Sequence, residues 1–121
     1  MFFTSINIDC NSTVNDIQDI LYQDFPFLRF EFYKTNGSVT ERGKFNILSS
    51  YVKIFAVTGL REATSMKIFE DKKIGELKND FKSIGLVIVL YRKSGNVWVK
   101  ASLTDDWSLK MQNAAGENFN V

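Results

Sequence analysis

The sequence predicts an α+β domain, and three observations predict it. Apolar and polar residues alternate in several short segments, the pattern of strands with one face buried. Between them lie two stretches whose apolar residues recur every three or four positions, the pattern of amphipathic helices. The order strand, helix, strand occurs twice, so two βαβ units with right-handed crossovers are expected to build one sheet with helices on one face. That is the ferredoxin-like plan, extended here by a hairpin strand and a C-terminal helix. At 121 residues the chain suits a single domain, 1–121.

Ile6 and Ile8 alternate with polar neighbours and mark the first strand. Cys10 to Thr13 interrupt it, and Ser12 or Thr13 is placed to cap a helix, with Asp16 in its first turn. Val14, Ile17, Leu21 and Phe25 form the apolar stripe of that helix, and Pro26 stops it. Leu28 to Lys34 follows as a strand, with Leu28, Phe30 and Phe32 on one face and Arg29, Glu31 and Tyr33 on the other.

Thr35 to Lys44 is rich in Gly, Asn, Ser and charge and reads as a loop. From Asn46 to Leu60 the β-forming run Tyr51–Val57 competes with a helical spacing of Leu48, Val52 and Phe55; a short helix ending at Gly59 is expected. Thr64 to Glu70 is a third strand, with Met66 and Ile68 inward. Ile74, Leu77, Phe81 and Ile84 stripe a second amphipathic helix. Strands Leu86–Lys93 and Val97–Leu103 are joined by Ser94-Gly95-Asn96, a tight hairpin connection. Thr104-Asp105-Asp106-Trp107 opens a terminal helix expected to end near Gly116.

Laying Ile6–Gly37 on Met66–Gly95 with a two-residue gap matches Val14 with Ile74, Leu21 with Phe81, Leu28 with Leu86 and Tyr33 with Tyr91. An internal duplication is one reading of this match; similar periodicity in two unrelated βαβ units is the other. The two units differ on one face. Where the first carries Arg29, Glu31 and Tyr33, the second carries Val87, Val89 and Tyr91. Two exposed valines call for a cover. Either the terminal helix supplies it through Trp107, Leu109 and Met111, or a second protein surface does.

Composition excludes several functions. Hydrophobic residues at 45% against 24% charged exclude a disordered chain. Lys and Arg number 15 against 14 Asp and Glu, so no global field draws nucleic acid or acidic membrane. Histidine is absent, and with it the commonest general base and zinc ligand. Lone Cys10 has no histidine to activate it and is expected to be a small buried thiol. The seven glycines form no phosphate cradle. Asp105-Asp106, with Asn113 and Glu117 downstream, lacks the spaced ligands of a cation loop. No catalytic, cofactor-binding or metal-binding residue is therefore assigned. The longest apolar run, Leu86–Tyr91, is too short to span a bilayer, and no signal-peptide pattern opens the chain, so a cytoplasmic protein without membrane partners is expected.

The remaining candidate is a surface. Val87, Val89, Tyr91, Arg92, Trp98 and Lys100, with Lys93, group apolar, aromatic and basic residues around the hairpin. Such a set suits a protein partner or self-association into a homo-oligomer. The alternative is single-stranded nucleic acid stacked on Tyr91 and Trp98. In architecture the plan resembles that of RNA-recognition domains, whose Gly-Phe-Gly-Phe aromatic signature is absent here. Duplicated βαβ units also occur in the tautomerase superfamily, but Phe2 stands where its catalytic proline would be. The expected function is a non-catalytic interaction or assembly module.

Overall fold

A computed structural model describes residues 3–34, 47–101 and 105–118. Nine elements follow in order: β1 Phe3–Ile8, α1 Val14–Asp24, β2 Leu28–Lys34, α2 Ile54–Thr58, β3 Thr64–Phe69, α3 Ile74–Ser83, β4 Leu86–Ser94, β5 Val97–Lys100 and α4 Leu109–Asn118. The α+β class is as expected. The single sheet is not found: among the described residues β1 pairs only with β3, while β2, β4 and β5 form a separate three-stranded sheet, all antiparallel. Each strand of the first βαβ unit takes its partner from the second.

Local chemistry explains most boundaries. Thr13 caps α1, its hydroxyl accepting from the Asp16 amide at 3.3 Å while the Asp16 carboxylate accepts from the Thr13 amide at 2.9 Å. The helix ends at Asp24, with Phe25 buried behind it and Pro26 next in sequence. α2 is only five residues long because the chain before it is extended, and Gly59, at φ 75°, closes it in the left-handed conformation. Gly95, at φ 62°, turns the β4–β5 hairpin.

One core serves both sheets. Ile6 and Ile8 of β1, Leu28, Phe30 and Phe32 of β2, Ile68 of β3 and Leu86, Ile88 and Leu90 of β4 are buried with the stripes of α1 and α3. Phe32 meets Phe81 edge-on, ring centres 5.2 Å apart, where sheet and helix meet. Leu109 joins this core, whereas Met66 is only half-buried.

The two halves share a set of backbone hydrogen bonds. Val14 N–H donates to Val52 O at 3.0 Å, as Ile74 N–H does to Trp107 O at 2.9 Å. Ile54 N–H donates to Ser12 O and Leu109 N–H to Lys72 O, at 2.9 and 3.0 Å. Leu48 N–H reaches Phe32 O at 2.8 Å, as Ala101 N–H reaches Leu90 O at 2.9 Å. In the ladders Ile6 faces Met66 and Glu31 faces Val89, the residues matched when one half is laid on the other.

The C-terminal end departs from expectation at the start of the helix and the end of β5. α4 starts at Leu109, behind Ser108, whose hydroxyl accepts from the Met111 amide at 3.1 Å; Asp105 and Asp106 lie in the preceding turn. It ends at Asn118, near Gly116 as expected, and Gly116 sits where Phe27 leaves no room for a side chain. The strand expected to reach Leu103 ends at Lys100, and Thr104, the first residue of the expected helix start, lies outside the described residues, as does the 35–44 loop.

Candidate functional site

The outward face of the three-stranded sheet is set by register. Tyr33 faces Val87, Glu31 faces Val89 and Arg29 faces Tyr91 across β2–β4; Tyr91 faces Lys100 and Lys93 faces Trp98 across β4–β5. Alternation puts all nine on one side, opposite the buried Leu28, Phe30, Phe32, Leu86, Ile88 and Leu90. None of the nine is buried. Of the six residues the sequence singled out, Val87, Val89, Tyr91, Trp98 and Lys100 therefore share one face.

Arg92 does not. Its position in β4 turns it to the opposite side, where it lies 5.9 Å from the Trp107 ring centre and donates to the buried Gln112 side chain of α4 at 3.3 Å. This also decides what α4 covers. Leu109 enters the core, Trp107 packs on Arg92 and Met111 points to solvent, so the helix seals the Arg92 side and leaves Val87 and Val89 without it. Asn113 fixes the same docking by accepting the Phe27 amide at 3.0 Å.

A hydrogen-bonded cluster occupies the middle of the face. Tyr91 donates its phenol to the Glu31 carboxylate, and this bond, with burial and the nearby charge, pushes the Tyr91 pKa up to about 12; Arg29 opposes the shift. Tyr33 is raised too, first by burial and then by the Glu31 charge, against a hydrogen bond with Tyr91. Arg29, Lys93 and Lys100 outnumber Glu31, so the face is basic although the chain is nearly neutral.

Sequence reasoning missed a cleft that adjoins this face. It measures about 270 Å³ and lies between α1 and β2, lined by Asn15, Gln18, Asp19 and Tyr22, by Leu28, Arg29 and Phe30, and by Trp98 from β5. The signal was present: positions 15, 18, 19 and 22 form a polar stripe at helical spacing beside the apolar one. Within it Gln18 donates to Phe30 O at 2.9 Å and Asn15 to Asp19 at 3.0 Å.

Of the other sequence candidates, Asp105 and Asp106 border this face, lining a hollow with Val87, Val89 and Lys100, while Asn113 lies on α4. Asp105 is held by Lys78 at 2.7 Å, and Asn113 bonds Phe27 rather than a shared ion site. Among the described residues no group of three or more Cys, Asp or Glu is placed to hold a metal. Cys10 is exposed in the turn after β1, not buried, because the chain leaves the core after Ile8 and Asp9, Cys10 and Asn11 all lie at the surface. Among those residues, no helix is long and apolar enough to cross a membrane. Comparison of the chain with protein-family models, with curated proteins and with solved structures finds no match.

Proposed function

We propose that the chain is a non-catalytic protein-interaction module whose recognition surface is the outward face of β2, β4 and β5. One observation carries this reading: Val87, Val89, Tyr91, Tyr33 and Trp98 lie side by side on a face none of whose residues is buried. Aromatic and aliphatic side chains ringed by Arg29, Lys93 and Lys100 form the pattern of an interface centre with a polar rim. Of the carboxylates near it, Glu31 is held by Tyr91 and Asp105 by Lys78, which fits binding better than acid–base work. A photo-reactive amino acid at position 89, with one at the exposed Asn79 on α3 as control, tests it in cells. A discrete crosslinked protein at 89 only, lost in Trp98→Ala, supports the reading; equal or absent crosslinking at both positions overturns it.

The excess of cations over Glu31 among three aromatic rings favours a second reading, single-stranded nucleic acid. Binding of a labelled oligonucleotide that weakens with salt and is lost in Trp98→Ala supports it. No binding at low salt sinks it.

The chain's architecture fits a duplicated βαβ unit, a variant of the ferredoxin-like plan in which strands of the two units pair with each other in separate ladders. The shared backbone hydrogen bonds of the two halves and the facing of matched residues support this origin.

A further inference from the structure

The two edges of the three-stranded sheet differ. On β2 two carbonyls that turn away from β4 are engaged: Phe30 O accepts from the Gln18 side chain at 2.9 Å, and Phe32 O from Leu48 N–H at 2.8 Å. On β5 the bond from Ala101 N–H to Leu90 O fixes the phase, so positions 97, 99 and 101 face β4 while Trp98 and Lys100 aim their N–H and C=O groups outward. Among the described residues no other strand pairs with that edge. Its side chains are also open, Val97 at 59% and Val99 at 47% exposure on one side of the strand. An edge whose outward backbone groups no described strand pairs, with two exposed β-branched residues and no proline, is a template for another strand.

We propose that a second copy of the chain adds its β5 antiparallel to this one, joining two three-stranded sheets into a six-stranded sheet across a twofold axis. An antiparallel backbone edge is complementary to itself, so an identical strand fits it without any new chemistry. With Trp98 opposite the second copy's Trp98, each Val97 lies against a Val99, and the two Lys100 side chains fall at opposite ends, beside Asn96. A register centred on Lys100 would set the two ammonium groups against each other and leave the valines unmatched. The joined sheet also doubles the outward face, but the pairing does not depend on what docks there.

The full chain is examined by light scattering on a sizing column from ~5 to ~500 µM, where mass action reveals a dimer. The expected mass rises toward twice the 13.9 kDa of the chain. Val99→Lys, which places charge on a side chain already half in water, and Lys100→Pro, which removes only an outward N–H, stay monomeric with unchanged circular dichroism. Hydrogen exchange on the unmodified protein, with the Trp98 and Lys100 amides protected only at the higher concentrations, gives the same answer if a variant misfolds. A 13.9 kDa mass throughout overturns the proposal, as does a dimer that survives both variants. A dimer broken by Val89→Asp but not by Val99→Lys also overturns it, because association then belongs to the outward face.

Discussion

Tyr91 donates its phenol to Glu31 on the neighbouring strand, so a carboxylate is held among aromatic rings at the centre of an otherwise basic sheet face. The bond ties β4 to β2 through side chains as well as through the ladder. It also makes the face readable by titration.

Tyr91 is expected to ionise near pH 12 rather than 10, followed by tyrosinate absorbance. Glu31→Gln returns the titration toward 10. Because the folded value lies above the unfolded one, the stabilisation is complete below pH 10 and is lost as pH rises through about 12. A Tyr91 that titrates at 10 in the folded protein contradicts the hydrogen bond.

Phe32 and Phe81 are fully buried and in edge-to-face contact. Phe81→Ala is expected to cost about 3–5 kcal/mol in urea unfolding, through lost burial and the cavity left behind. A loss below about 1 kcal/mol would mean that α3 does not close on the sheet as described.

Thr13 and Lys73 occupy matching caps, yet only Thr13 brings a hydroxyl to the task; at α3 the single side-chain bond is Glu76 accepting from the Lys73 amide at 3.1 Å. Thr13→Ala is expected to destabilise by about 1 kcal/mol, and Lys73→Thr to stabilise by about 0.5–1 kcal/mol. Thermal unfolding of the two variants checks both signs.

Two glycines make opposite predictions. A Cβ at Gly116 would lie 2.8 Å from Phe27 Cβ and 2.9 Å from its carbonyl oxygen, so Gly116→Ala pushes α4 off the sheet and costs roughly 1–3 kcal/mol. At Gly75 the nearest atom is Asp105 O at 3.4 Å, an ordinary contact, and Gly75→Ala gains up to ~1 kcal/mol of helix propensity. Denaturant midpoints separate the two.

What the sequence made legible was local. The stripes of α1 and α3, the Thr13 cap, the faces of β2 and β4 and the Gly95 hairpin all follow from spacing and side-chain chemistry, and the structure agrees. Strand partnership did not follow, because Ile6 and Ile8 define a buried face but carry nothing that chooses β3 over β2. The same gap hid the fate of Arg92. Its alternation with Tyr91 was visible, but that α4 would bring Trp107 and Gln112 to the inner side was not. Of the candidate face, five of six residues were legible because one rule, alternation along a strand, governs them all.

The ladders have a consequence for how the molecule is made. The rungs of the β1–β3 and β2–β4 ladders join residues from 52 apart, Lys34 with Leu86, to 66 apart, Phe3 with Phe69. As the chain leaves the ribosome, β1 and β2 emerge long before any strand they bond to. Their inward isoleucines and phenylalanines must wait, unpaired, until most of the protein has been synthesised. Contacts this distant in sequence set a slow, all-or-none search, and during synthesis the early half is the segment exposed to misassociation.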